Sequence, residues 1–269
     1  QSEMSRILRH IPDISSIYFK TNEDKAAADK KVGYIVITAD KGLAGSYNHN
    51  VLKIAQEQLE KNPNHSLFVL GELGRHYFEQ RGIEIEKQFH YTVQNPTLNR
   101  ARNISEEIIE LYRKGELDEV YIIYTSMINA IQEETQIEQL LPLKTNEFIK
   151  EELAANARQG KSNGTLEDFE GNDDYFVIYP SPKVVLNDLA YNYVTGFVYG
   201  ALVEGFATEE NARMVAMQAA TDNAEAMLKE LSIEYNRVRQ AAITQEITEV
   251  IGGAKALKKK KMKKKAQAG

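Results

Sequence analysis

Hydrophobic and polar positions follow two different rhythms along this chain. In the first two thirds, short apolar runs rich in β-branched residues are separated by amphipathic stretches. VGYIVITAD (32–40), SLFVLGELG (66–74) and EVYIIYTSM (119–127) are apolar at consecutive positions, as strands buried on both faces are. IEIEKQFH (83–90) alternates apolar and charged residues and is a candidate for a further strand. Helical spacing runs from residue 49 to about 59, over 75–80, and over 100–113, where Ile104, Ile108, Leu111 and Tyr112 share a face. Met4, Ile7, Leu8 and Ile11 give residues 2–16 the 3–4 spacing of a short amphipathic helix, and 20–31 is a polar, lysine-rich loop. Residues 155–174 have the composition of an exposed loop, and YFVIYPSP (175–182) reads as an edge strand ended by two prolines. Strands alternating with helices predict an α/β fold with a largely parallel, Rossmann-like sheet.

The rhythm changes after residue 183. No proline follows, and helix is expected to about residue 251, weakened by Gly196, Gly200 and Gly205. A break is expected near FATEE (206–210), with Thr208 as an N-cap before two glutamates. From 208 to 251 the chain would form a rod of roughly 65 Å at 1.5 Å per residue. Met217, Ala224, Leu231 and Val238 recur every seven residues, and Thr221, Leu228, Tyr235 and Ala242 follow each by four. Alternating three-four spacing is the seam of a coiled coil. Beyond Ala242 the seam fades into Thr244, Gln245, Glu246, Thr248 and Glu249 beside Ile243, Ile247, Val250 and Ile251. A helix end this polar either lies in solvent or turns within a sleeve lined by another protein.

Composition narrows the chemistry. Among 269 residues there is no cysteine, which removes disulfides, thiolate metal sites and cysteine nucleophiles, and fits a reducing compartment. Five histidines show no i, i+4 pairing of a helical zinc site. No run approaches the length of a membrane-spanning helix, and residue 1 is not followed by a signal-peptide pattern. Eight lysines lie within 255–265, so the rest of the chain carries −14 rather than the net −6, a balance that repels nucleic acid everywhere but at the tail. DKGLAGSYN (40–48) lies between a strand and a helix, where a phosphate loop would sit, but lacks both G-x-G-x-x-G and the G-K-[ST] ending. A tight turn, with Gly42 and Gly45 at special backbone angles and Asn48 bonding locally, is the preferred reading, and GELG (71–74) is read as another turn. Acidic pairs such as Glu106–Glu107, Glu133–Glu134 and Asp173–Asp174 have no nucleophile pattern beside them and read as solvated faces.

Two segments carry a resemblance. ITADKGLAGSYNHNVLK (37–53) and ARMVAMQAATDNAEAML…YNRVRQAAITQEITEVIGGAKAL (212–257) resemble, in the expected order, the gamma subunit of F-type ATP synthases, over roughly residues 1–257. The resemblance implies a non-catalytic rotor without cofactors. Its coil would turn within a ring of three alpha and three beta subunits, and its α/β foot would bind epsilon and the membrane c-ring. It implies beta-subunit contacts at Arg239, Gln240, Thr244, Glu246 and Arg213, a bearing at Ile243, Ile247, Val250 and Ile251, and a foot contact at Tyr179. Four segments are expected: 1–31 leading from the coil, a foot domain over 32–182, the shaft helix over 183–257, and a Lys-rich tail over 258–269. The family's antiparallel partner helix does not precede Gln1. The tail is either a displaced piece of that helix, whose Lys, Met, Ala and Gln content it shares, or a basic extension, disordered by self-repulsion. A peripheral position on the cytoplasmic face of a bacterial plasma membrane follows, with no direct insertion and no nucleic acid; the lack of cysteine argues against the redox-regulated chloroplast form. Two other readings compete: a nucleotide-utilising α/β enzyme with a helical appendage, and a basic-tailed nucleic-acid adaptor.

Overall fold

The computed structural model describes residues 4, 7, 8, 16–19, 29–129, 132–144 and 178–266, with side chains to residue 260. The loop expected over 155–174 and residues 175–177 of the expected edge strand lie outside the described residues. Residues 178–181 are not strand but lead directly into a helix.

Four strands form one sheet: β1 (Val32–Ile37), β2 (His65–Leu70), β3 (Glu119–Met127) and β4 (Glu133–Leu141), in the order β2-β1-β3-β4. β1 pairs in parallel with both β2 and β3, and β4 adds antiparallel to β3. The helices are α1 (Tyr47–Lys61), α2 (Glu72–Gln80), α3 (Leu98–Arg113) and α4 (Pro182–Ala266). Strand periodicity divides the sheet's side chains between two cores. Ile35, Ile37, Phe68, Leu70 and Ile122 face a core built with α3 and α4, which also takes in the helical Met4, Ile7 and Leu8. Tyr34, Val36, Leu67, Val69 and Ile123 face a second core with Val51, Leu52, Ala55 and Phe78 of α1 and α2. The runs lack alternation because both faces are covered.

Helix α4 contributes Leu186, Ala190, Val194, Val198 and Leu202 to the first core, one every four residues. That spacing lays a single stripe along the sheet.

Several expectations need correcting. Residues 83–90 form no strand and bend at 87–88. Ile83 and Ile85 drop into one core while Phe89 enters the other, so the alternation does not define one sheet face. The segment instead covers the outer edge of β2, through Glu86 N–H to Leu67 O (2.9 Å) and Gly71 N–H to Tyr91 O (3.2 Å). No break occurs near 206–210. Thr208 is inside α4, and its hydroxyl donates back to Glu204 O at 2.8 Å, satisfying itself without ending the helix. The helix also continues through the lysines to Ala266. Lysine is a good helix former, and cations are favoured at a helix C-terminus.

The chain divides into two compact units, Gln1–Val215 and Ala216–Gly269. The second contains the helix from Ala216 onward, a length of about 75 Å to Ala266 at 1.5 Å per residue.

Candidate functional site

In a doubly wound sheet a ligand binds beyond the carboxyl ends of the strands, where the strand order switches direction, here between β1 and β3. The 40–48 turn leaves β1 at this point. The chain's own side chains fill it. The Asp40 carboxylate accepts from the N–H groups of Val93 (2.9 Å), Gln94 (3.1 Å) and Glu72 (3.3 Å) and from the Thr92 hydroxyl, joining three loops. Thr38 donates to Leu70 O (2.8 Å) and accepts from Gly74 N–H (3.1 Å). Asn48 accepts from Ala39 N–H at 2.9 Å, as the local bonding predicted from sequence requires.

Backbone angles in the turn only partly follow expectation. Gly45 has a positive φ of 55°, but Gly42 does not; Leu43, with φ 67°, takes the left-handed position instead. Gly71 ends β2 at φ 93°, where a Cβ would lie 2.3 Å from Thr38 O. The GELG stretch is a turn only at Gly71, since α2 begins at Glu72.

Helix α4 closes the crevice. Gly205 lets it approach until a Cβ there would be 3.3 Å from both Ile37 Cγ2 and Tyr47 Oη. About two turns on, Arg213 donates from Nε to Gly42 O and from Nη2 to Lys41 O, each at 3.2 Å, and pairs with Glu209 and Glu210, each at 2.5 Å. Burial raises Glu209 above the ordinary carboxylate range by more than Arg213 lowers it; the same contacts hold Arg213 firmly charged. Glu209 Oε2 and Tyr47 Oη are buried without a hydrogen-bond partner, and burial with the nearby Glu209 and Glu133 charges pushes the Tyr47 phenol up. Asp40, Glu209 and Glu210 together make this end of the sheet acidic. Carbonyls already engaged by Arg213 and a surrounding negative field are the reverse of a phosphate cradle.

Sequence reasoning missed a second structural staple. Arg75 is buried in α2, donating from Nε to His90 Nδ1 (2.9 Å) and from Nη2 to Phe89 O (3.1 Å). His90 Nε2 lies 3.1 Å from Glu72 Oε1, so the neutral ring accepts on one side and donates on the other. No periodic signal marks such a contact, because its partners are a backbone carbonyl and a histidine from an irregular segment.

The other sequence-derived site residues lie on open surface. Arg239, Gln240, Thr244 and Glu246 are exposed along α4, and Tyr179, ahead of its first turn, is 89% exposed. The heptad residues Met217, Leu228, Leu231, Tyr235 and Val238 are exposed too, an apolar stripe uncovered in this chain. Ile243, Ile247, Val250 and Ile251, also exposed, share an arc of about 100° whose centre lies roughly 140° around the helix from the seam at Leu231–Ala242. Gln240 falls within this arc one turn earlier, with Arg239 and Thr244 at its borders and Glu246 just outside. The apolar face therefore changes sides near residue 243. A single partner helix along the seam cannot cover the tip. Among the described residues, no helix is long and apolar enough to cross a membrane.

Comparison with known proteins follows the same lines. A family model described as ATP synthase matches residues 1–257. The ATP synthase gamma chain of Acetivibrio thermocellus is 44% identical over 258 residues, spanning 96% of this chain and 83% of that one. The sodium ion specific gamma chain of Acetobacterium woodii is 40% identical over 231 residues, spanning 85% and 75%. The fold is similar to a chain in the cryo-EM structure of the Euglena gracilis mitochondrial ATP synthase (OSCP/F1/c-ring, rotational state 3), with TM-score 0.58, 17% identity, and 95% and 86% of the two chains covered. A chain of the Tetrahymena thermophila mitochondrial ATP synthase central stalk/c-ring gives TM-score 0.53 at 21% identity, covering 82% and 95%.

Proposed function

We infer function from family: the chain belongs to the gamma chains of ATP synthase, and it is a central-stalk rotor subunit of that complex. The observation that carries the mechanical reading is α4. A helix whose heptad seam is exposed, and whose tip turns its apolar face elsewhere, is built to be enclosed by other chains.

Its role is transmission without catalysis. A second helix covers the Met217–Ala242 seam, and a ring of three alpha and three beta subunits surrounds the tip. Ile243, Ile247, Val250 and Ile251 press on an apolar bearing. Arg239 makes bidentate bonds to a carboxylate or carbonyl on a beta subunit, and Gln240 both donates and accepts there. Thr244 and Glu246 add contacts one to two turns on. Because one chain meets three beta subunits, each contact is made in one rotary position and broken in the next. The differential contact energy sets which catalytic site is open, which is a population shift and not chemistry on this chain. The α/β unit, with Tyr179 exposed, is the foot that meets epsilon and the c-ring on the cytoplasmic side of the membrane.

Mutation of the contact pair tests this. Arg239→Ala and Gln240→Ala in the assembled complex are expected to lower ATPase turnover about tenfold or more, as loss of a desolvated, charge-assisted contact would. Unchanged turnover and coupling in both variants would remove these residues from the interface.

A further inference from the structure

We infer that the cavity bounded by α3, the start of α4 and residues 16–19 is a binding site for a small organic oxyanion, a carboxylate or a phosphate monoester, held by Arg113 and the Tyr18 hydroxyl. The site lies wholly within the α/β unit and does not depend on the rotor role.

Helix spacing builds one wall. Glu106, Ile109, Glu110 and Arg113 stand at i, i+3, i+4 and i+7 on α3, a single face about 10 Å long. Tyr18 and Tyr191 of α4 help to enclose a cavity of about 520 Å³, within the size range of small-molecule sites. The backbone fixes Tyr18 in place. Its N–H donates to Ser16 Oγ (3.3 Å), and its carbonyl accepts from Leu143 N–H (2.6 Å). The Ser16 hydroxyl in turn donates to Asn187 Oδ1 of α4 at 2.8 Å. Tyr18 is thus only 6% exposed, yet it lines the cavity.

What the cavity offers a ligand follows from which polar groups are already engaged. Both carboxylates are: Glu106 Oε1 accepts from the Tyr191 hydroxyl and Glu110 Oε1 pairs with Lys114 Nζ, each at 2.8 Å. The carbonyls of Glu110, Leu111 and Tyr112, which end α3, accept from the N–H groups of Lys114, Glu116 and Gly115. Arg113 is different. Among the described residues its guanidinium has neither a hydrogen bond nor an ion pair, and the Tyr18 hydroxyl has no hydrogen-bond partner either. Burial raises the Tyr18 phenol by more than the Arg113 charge lowers it, and Asp188 adds to the rise, so the hydroxyl keeps a proton to donate. Free donors beside engaged acceptors select a ligand that brings acceptors. A guanidinium fork matches two oxygens of a carboxylate or phosphate. Ile109 and the tyrosine rings supply apolar wall, so the ligand has a carbon body and is not a bare ion. Bound there, it would tie α3 and α4 to residues 16–19.

NMR titration of the full chain with phenyl phosphate, benzoate and inorganic phosphate tests the site. Saturable shifts at the Ile109 methyls and the Tyr191 ring are expected with phenyl phosphate, benzoate or both, at millimolar or lower dissociation constants. The tighter of the two tells phosphate from carboxylate, and inorganic phosphate should bind at least about tenfold more weakly than it. Arg113→Gln should weaken binding about tenfold or more, and Tyr18→Phe about threefold. Arg113→Lys keeps the charge without the fork and should fall between Arg113→Gln and wild type; it serves if the glutamine variant does not fold. No saturable shift with either organic probe would overturn the site. So would wild-type affinity in the Arg113 variants, or inorganic phosphate binding as tightly as the organic probes.

Discussion

Glu209 shows how a single residue can carry stored cost at a junction. Its carboxylate is buried with one oxygen paired to Arg213 and the other unpartnered. Burial raises its pKa in the fold, so the folded chain binds this proton more tightly than the unfolded chain. That contribution to stability is present below the ordinary carboxylate value and lost as pH rises through the raised folded value. Glu209→Gln keeps an acceptor for Arg213 at every pH. The variant should therefore gain stability relative to wild type as pH rises from the ordinary carboxylate value through the raised folded value, read from urea midpoints; a constant difference would contradict it. Arg213→Ala leaves a buried carboxylate uncompensated and should cost about 3 kcal/mol. Glycines give a sharper contrast. Gly71→Ala meets both a positive φ and backbone at 2.3 Å and should cost about 3 kcal/mol or more, whereas Gly42→Ala enters open space and should stay within about 0.5 kcal/mol by thermal denaturation. At this scale the sequence was partly legible. Gly45 and Asn48 could be assigned from turn chemistry, but the left-handed Leu43 could not, because what holds it comes from residue 213.

Elements with strong periodicity were the most readable. β1, β3, α1 and α3 lie within a few residues of their expected limits, since burial on both faces leaves an unmistakable apolar run. β4 escaped notice: Glu133, Glu134, Gln136 and Glu138 make it too polar to look like a strand, and it is held by backbone pairing with β3. Residues 83–90 misled in the opposite sense, because alternation reflected two cores and not one face. The helical break expected at Thr208 failed because a threonine next to glutamates has the composition of an N-cap whether or not the preceding turn is helical. The seam on α4 has a direct consequence. An uncovered stripe containing Leu228, Leu231, Tyr235 and Val238 should drive the isolated chain to self-associate with rising concentration in sedimentation. Leu231→Asp with Tyr235→Asp should restore a monomer without moving the melting of the α/β unit. Self-association that survives both changes would place the sticky surface elsewhere.

Taken whole, the molecule divides its labour between two units. Gln1–Val215 contains the sheet, both cores and the Arg213 contacts; in the second unit residues 216–266 are helix, with almost no buried side chain among those described to residue 260. A polypeptide that leaves some forty-five described residues of helix uncovered, from 216 to 260, has its purpose in an assembly. The architecture and family could be read from the sequence because the turn at 37–53 and the helix at 212–257 are so distinctive. The division of roles along the tip could not, since exposed side chains do not by themselves show what surface they meet. The most direct measurement is ATP-driven proton pumping in vesicles containing the ATP synthase of the source organism, assembled with this chain, without it, and with the chain truncated after Ala242. The account predicts coupled pumping with the full chain, loss of the assembled, coupled complex without it, and ATP hydrolysis with little pumping after truncation. Full coupling without the chain, or with the tip removed, would contradict it.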